Sequence, residues 1–184
     1  MSVRTIRVEG DPILRKISKP VTEITGRTSE LIDDMICDLH DFDGVGLAAV
    51  QVGVLKRICV ICIRPEDLGL NDEDTPAFDW DEYNLHTSGR DIVIINPEIT
   101  VDSEDTQTGS EGCLSVPGKY GTVTRPDRIT LKAFDRELEP FTLKAYGLLS
   151  RAIQHECDHM EGIMYTDKVI GELHSNDEDA AGDE

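Results

Sequence analysis

The chain has 184 residues, of which 39% are hydrophobic and 30% are charged, so it is long enough to bury a core within one domain. This composition excludes a chain dominated by disorder. The net charge of −19 comes from 37 acidic and 18 basic side chains. Such a balance excludes the broad basic surface that phosphate-backbone binding requires, and it disfavours contact with an anionic membrane. We therefore expect neither nucleic acid nor a membrane as a partner.

The negative charge is concentrated in two segments. Residues 66–82 contain eight acidic side chains and no basic one, and residues 171–184 contain six and none. We predict that residues 66–90 form an acidic surface excursion between two strands, and that residues 174–184 form an acidic, disordered tail. Residues 1–173 are then a single catalytic domain.

The sequence indicates a cytoplasmic protein. Its amino-terminal residues lack the apolar run of a secretory signal, and no apolar stretch is long enough to span a membrane. The five cysteines are an odd number spread over four regions, unlike a secreted disulfide framework. Cys59 and Cys62 have the spacing of a redox or zinc motif, but they lie in a β-branched run. Because an odd separation on a strand places them on opposite faces, we interpret them as buried core residues.

The first half of the chain predicts one long helix among short extended segments. Residues 3–8 are typical of a strand, and Asp11-Pro12 begins a turn or short helical piece. Apolar residues then recur at three- and four-residue intervals from Leu31 to Phe42, which predicts an amphipathic helix ending near Gly44. Residues 47–63 read as mostly extended.

The second half predicts strands followed by a second helix. A buried strand spans residues 92–96 and ends at Pro97, and alternating segments near 121–133 and 140–145 indicate an antiparallel meander. Helical periodicity begins at Gly147, and Gly162 marks the helix end. We therefore predict an α+β fold in which small antiparallel sheets pack around a central helix.

That helix carries a candidate metal site. His155 and His159 are four residues apart, so both imidazoles can reach one metal ion from the same helix face. Glu156 lies beside them, where its carboxylate can take a proton from an activated water and pass it to a leaving group. The alternative is a chance pair of histidines with a solvated glutamate between them.

A catalytic site of this type needs a third protein ligand. In one class of metalloprotease this ligand is a histidine six residues after the second one, where this chain has Tyr165. A later glutamate is the other possibility, and Glu172 is the only plausible donor. Upstream, Cys113 lies in a Glu-Gly-Cys-Leu-Ser turn and is the best third ligand, although a lone cysteine is usually a buried apolar residue.

A glycine-rich segment follows the first helix and ends at Gln51. Its small residues permit close backbone approach to a bound molecule. The Gln51 amide either satisfies a buried backbone group or donates a hydrogen bond to a developing oxyanion.

Three segments resemble, in the same order, the signature motifs of bacterial peptide deformylases. They are Gly44-x-Gly46-x-Ala48-Ala49-x-Gln51, Glu111-Gly112-Cys113-Leu114-Ser115 and Gln154-His155-Glu156-x-Asp158-His159-x-x-Gly162. The resemblance implies small antiparallel sheets around the metal-bearing helix. It also implies metal-dependent hydrolysis of the formyl group from the N-terminal formyl-methionine of newly synthesised proteins.

The resemblance also implies a role for each matching residue. Cys113, His155 and His159 would bind the metal, and Glu156 would be the general acid and base. Gln51 and the backbone N–H of Leu114 would hold the oxyanion. The remaining matches imply substrate contacts, in which extended backbone pairs with the peptide as an added strand: Val45, Gly46 and Gly112.

Three further side chains have two interpretations each. Leu148 and Ala152 lie on the metal-facing side of the helix, where they either line a methionine pocket or pack in the core. Arg125 either pairs with Glu111 or Asp158 to hold the ligands, or is an exposed cation.

The resemblance implies one divalent metal ion, ferrous iron, although the same ligands can hold zinc, nickel or cobalt. The implied partners are N-formyl-methionyl nascent peptides. Some deformylases dock on the ribosome through a long basic C-terminal helix, which this acidic chain end lacks. Any ribosome contact would therefore use another surface. The rival hypotheses are a metallopeptidase that cuts internal bonds and an inactive relative that binds N-terminal peptides.

Overall fold

The computed structural model describes residues 4–63 and 91–175. The predicted acidic excursion at 66–90 and residues 176–184 of the predicted tail lie outside the described residues. Within this part of the chain two α-helices accompany two antiparallel sheets, and the predicted α+β class is confirmed. The strands in chain order are β1 (Gly46–Ala48), β2 (Ile58–Ile61), β3 (Ile92–Val101), β4 (Thr106–Cys113), β5 (Val116–Pro126), β6 (Arg128–Phe134), β7 (Pro140–Tyr146) and β8 (His174–Ser175).

The strands divide into a five-stranded and a three-stranded sheet. The larger sheet has the order β1-β2-β3-β6-β7 and the smaller one β4-β5-β8, so β1 and β4 are both edge strands. The strands β6 and β7 pair without a register shift along their whole length, as the predicted meander requires. The sheet edges matter for function because both lie beside the site described below.

Helix α1 (Gly26–Asp41) covers one face of the larger sheet. The Thr25 side chain caps it by accepting a hydrogen bond from the Thr28 N–H at 3.2 Å. Its apolar stripe is buried against strand β2, as the periodicity predicts, and comprises Leu31, Ile32, Met35 and Leu39. The helix begins earlier than its apolar periodicity indicates because its first turn is polar.

Helix α2 (Gly147–Met160) packs against strands of both sheets and is the central helix of the fold. Gly147, the first residue of the helix, and Gly162, two residues past its end, have φ values of 56° and 73°. At Gly162 a Cβ would lie 2.6 Å from the Arg15 carbonyl oxygen, so only glycine fits there. Both glycines therefore do what the sequence predicts.

Four local predictions are wrong. Residues 4–8 form no strand, and the Arg7 N–H instead donates to the Gln51 carbonyl at 2.7 Å. Residues Ala49–Val52 form a 3-10 helix within the segment predicted as extended. Strand β3 continues past Pro97, because a register shift between Ile95 and Glu98 accommodates a residue without an N–H donor. The predicted tail begins two residues too early, since His174 and Ser175 pair with Tyr120 and Lys119.

Cys59 and Cys62 lie on opposite faces of the sheet, as the strand pattern predicts. Cys59 is fully buried in the core under α2, and Cys62 is 3% exposed in the core under α1, on the other face of the sheet. Among the described residues, no helix is both long enough and apolar enough to cross a membrane.

Candidate metal centre and active-site cleft

Two elements bring the three predicted metal ligands together. Helix α2 carries His155 and His159 on one face, and β4 ends at Cys113. The Cys113 Sγ lies 3.3 Å from His159 Nε2, and the ligand atoms of all three side chains lie within 4.8 Å of one another. One thiolate and two imidazoles in this arrangement fit a single divalent transition metal.

A buried carboxylate orients the first of these imidazoles. The Glu111 Oε2 accepts a hydrogen bond from His155 Nδ1 at 2.9 Å, which directs Nε2 toward the other ligands. Arg125 binds the same carboxylate through Nε at 2.6 Å and a terminal nitrogen at 2.8 Å, and Arg151 donates to it at 2.7 Å. Glu111 is therefore held on three sides before any metal binds.

The Glu111 network extends to the last turn of α2. Arg125 also donates to Asp158 at 2.8 Å, and Lys168 contacts Asp158 as well. Arg125 is 2% exposed, so its interpretation as an exposed cation is wrong and the pairing with both carboxylates is confirmed. Although burial opposes it, the hydrogen bonds from Arg125 and His155 hold the pKa of Glu111 well below its usual range.

The pKa values of the two imidazoles are shifted in opposite directions. Burial lowers the pKa of His155, but its hydrogen bonds with Cys113 and Glu111 outweigh burial and raise that pKa to about 10. Burial, together with the neighbouring His155, lowers the pKa of His159 and keeps it in the neutral form that binds metals. Metal binding therefore requires His155 to lose a ring proton, since the neutral imidazole is the form that binds a metal.

Gln51 lies on the other side of the cluster in a fixed orientation. Its Oε1 accepts a hydrogen bond from the Ala48 N–H at 2.8 Å, which places Nε2 3.2 Å from Ser115 Oγ and 3.4 Å from Cys113 Sγ. The side chain therefore satisfies a backbone group, and it also aims an amide donor at the cluster.

Glu156 is buried beside the ligands with one carboxylate oxygen unpaired. It is 3% exposed, and burial raises its pKa to about 7. In the part of the chain that the structure describes, three buried side-chain polar atoms have no hydrogen-bond partner: Ser18 Oγ, Glu156 Oε2 and His159 Nδ1. The last two belong to this site. A Cβ at Gly46 would collide with the Glu156 carboxylate, so the glycine is needed for this close approach.

These groups line one cleft of about 550 Å³, between the edge strands β1 and β4 and helix α2. The remaining sequence-predicted residues all lie on its wall: Val45, Gly46, Gly112, Leu114, Leu148 and Ala152. The structure therefore brings every predicted site residue to one place. His159 is completely buried behind the cleft.

Sequence reasoning missed Arg151 and the contacts of Tyr165. Arg151 precedes His155 by one helical turn on the same face, a spacing that could have indicated it. Tyr165 stacks on the His155 ring at 6.0 Å between centroids, and its hydroxyl donates to the Lys119 carbonyl at 3.0 Å. Glu172 is exposed and does not belong to the ligand cluster.

The fold and the Cys-His-His cluster define a metal-dependent hydrolase. A family model described as polypeptide deformylase matches residues 3–174. A peptide deformylase of Lachnoclostridium phytofermentans is 47% identical over 174 residues, which are 95% of this chain and 93% of that protein. A peptide deformylase of Agathobacter rectalis is 45% identical over 95% of this chain and 94% of its own length.

Solved structures agree. The crystal structure of peptide deformylase from Thermotoga maritima has a TM-score of 0.76 and 33% identity, covering 93% of this chain and 100% of that one. The crystal structure of the Ehrlichia chaffeensis peptide deformylase in complex with actinonin has a TM-score of 0.78 and 36% identity, covering 92% of this chain and 90% of that one. The chain belongs to the polypeptide deformylase family, and its activity is that of a peptide deformylase. The predicted family, fold and enzyme class are confirmed.

Proposed function

We propose that this chain, in the cytoplasm, removes the formyl group from the N-terminal formyl-methionine of newly synthesised proteins, with Glu156 as general base and general acid. The observation that carries the proposal is the buried Glu156 carboxylate, which belongs to the cleft wall next to His155 and has one oxygen unpaired. A general base must lie within hydrogen-bond reach of the proton that it removes.

Cys113, His155 and His159 would hold a divalent metal ion, and the donor set fits one. Such an ion supplies Lewis acidity and lowers the pKa of a water molecule to near neutrality. Glu156 takes the proton from the attacking water and returns it to the departing amine, so formate leaves and the peptide keeps a free amino terminus. The Gln51 amide and the Leu114 N–H hold the oxyanion that forms on the formyl oxygen.

The substrate peptide is proposed to lie between the two sheet edges. Val45, just before β1, Gly46 at its start and Gly112 near the end of β4 line the cleft. Within the described residues, both strands are at a sheet edge. An extended peptide adds to such edges through backbone hydrogen bonds, so recognition depends little on sequence beyond the first residue. Leu148 and Ala152 form the apolar wall that takes the methionine side chain.

The substrate is tested with formyl-Met-Ala-Ser and its unformylated counterpart under anaerobic conditions. We expect formate release from the first peptide and no cleavage of the second. Cleavage of an internal bond would identify the metallopeptidase instead. Tight binding of the formylated peptide without turnover by the metal-loaded protein would identify an inactive, peptide-binding relative.

Ferrous iron is the proposed native metal. The expected consequence is oxygen sensitivity, because oxidation of the iron removes the ion on which the reaction depends. Enzyme loaded with iron should lose activity in air, and enzyme loaded with nickel should keep it. Equal losses in both samples would contradict iron oxidation as the cause.

A ribosome contact, if formed, is proposed to use a surface other than a basic C-terminal helix. After α2, the described residues form a short 3-10 helix at Tyr165–Asp167 and the strand β8. No long helix follows within the described part, which ends at Ser175.

A further inference from the structure

A second cluster of metal-binding side chains lies where α1 ends. His40 belongs to the last turn of α1, Cys62 follows β2, and Asp91 immediately precedes β3. The His40 Nε2 lies 2.7 Å from Asp91 Oδ1, and the ligand atoms of all three residues lie within 4.8 Å of one another. None of the three lines the active-site cleft.

We propose that His40, Cys62 and Asp91 form a second binding site for a divalent metal ion of the zinc type. One imidazole, one thiolate and one carboxylate are the three donor types that zinc binds in proteins. Three protein ligands leave a fourth tetrahedral position for water. The site is thus distinct in residues, location and ligand set from the one that Cys113 helps to form.

The local electrostatics suit a cation. The carboxyl end of a helix carries a partial negative charge, and His40 lies in the last turn of α1. Residues 28–55, which include this helix end, contain six acidic side chains and no lysine or arginine. A cation bound between His40, Cys62 and Asp91 would therefore meet no basic neighbour in this stretch of sequence.

A shared metal would require the three side chains to adjust from their present separations. Ligand atoms around a tetrahedral zinc lie roughly 3.3–3.6 Å apart, given metal-ligand distances of about 2.0–2.3 Å. The His40–Asp91 contact must open by about half an ångström toward that range, and the His40 side chain is 49% exposed and has room to move. Cys62 is buried and Asp91 is 27% exposed, so the site opens toward solvent on the histidine side.

The simplest alternative is a hydrogen bond between His40 and Asp91 alone. That contact engages only two of the three side chains. A shared metal engages all three. The metal would also link the end of α1 to Cys62 and Asp91, which are 29 positions apart in the chain. Such a link stabilises the folded state.

The test counts metal ions in the loaded enzyme. Protein with nickel in the catalytic site is incubated with zinc, freed of excess metal by gel filtration and analysed for both elements. We expect two metal ions per chain in the parent protein and one in His40→Ala and in Asp91→Asn, with formate release unchanged in both variants. Asp41→Asn is the matched control, because it removes a charge at the same helix end and should retain two ions.

A single ion per chain in the parent protein, or two ions in both variants, would overturn the proposal. Thermal unfolding provides an independent readout. Zinc should raise the Tm of the nickel-loaded parent and of Asp41→Asn by a few degrees, and it should leave the Tm of His40→Ala unchanged. An equal rise in all three proteins would place the zinc elsewhere.

Discussion

The two sides of the cleft are built in different ways. On the metal side, Arg125 from β5 and Arg151 from α2 bind the Glu111 carboxylate of β4. Glu111 in turn orients His155. On the opposite side, the segment from Val45 to Gln51 supplies backbone, small residues and a single oriented amide. Substitutions on the first side should therefore act through metal retention, and substitutions on the second side should act through geometry while the metal stays bound.

The largest effect is expected on the metal side for Cys113→Ala. Loss of the thiolate leaves two ligands, so we expect loss of the bound metal and a fall in kcat/KM of at least about 1000-fold. Metal analysis and formate release measure both. Cys157→Ala is the matched control, because that cysteine lies on α2 between the two histidines and is not part of the ligand cluster. Full metal content in Cys113→Ala would contradict the assignment.

On the opposite side the expected effect of Gly46→Ala is smaller and of a different kind. The new Cβ would push aside the flexible end of Glu156 rather than the backbone, so the fold should survive. Displacement of a catalytic group by about 1 Å can cost about 100-fold in rate, and we expect a loss of that order in kcat with the metal retained.

Gly112→Ala is the matched control for Gly46→Ala. At Gly112 a Cβ would lie 3.5 Å from the Lys119 carbonyl oxygen, which is ordinary van der Waals contact. Its kcat should remain within about tenfold of the parent value. Loss of metal from Gly46→Ala would show that the two sides of the cleft do not act independently.

Glu111→Gln tests how the metal side is supported. The substitution leaves Arg125 and Arg151 without their shared carboxylate and removes the ionised acceptor of His155. We expect metal affinity to fall by about 10–100-fold. Removing one partner of a buried ion pair should also lower the free energy of unfolding by about 3–5 kcal/mol. Glu139→Gln, at an exposed position, is the control and should change neither quantity.

The smallest effect is expected for removal of the acidic chain end. Deleting residues 176–184 should leave turnover of a short formylated peptide unchanged, because the last described pairing ends at Ser175. Extending the deletion to His174 also removes the strand beside Tyr120, which lines the cleft and stacks on His174. A large loss of activity from the shorter deletion would contradict this account of the tail.

Sequence patterns predicted the elements in which local and tertiary preferences agree. The periodicity of α2 and the four-residue spacing of its histidines are local properties, so the metal-bearing helix could be placed. Residues 4–8 alternate like a strand but hydrogen-bond to α1 and to the 3-10 helix at Ala49–Val52. Pro97 lies within a strand because a bulge accommodates it. Both outcomes depend on partners far away in sequence.

The supporting network shows the same limit. Arg151 lies on a helix, and from the sequence alone it resembles a solvated cation. Its partner Glu111 lies 40 positions earlier, on strand β4. The contact between Glu156 and Gly46 likewise depends on how β1 packs against α2. The ligands could be predicted because motifs carry them, whereas the groups that hold them depend on the tertiary fold.

The role of Glu156 is the central claim, and one variant tests it most directly. Glu156→Gln keeps the size of the side chain and removes its ability to accept and return a proton. We predict full metal content and a fall in kcat for formate release from formyl-Met-Ala-Ser of about 10²–10⁴-fold, measured anaerobically on the same sample. Activity equal to that of the parent enzyme, with the metal still bound, would contradict the account.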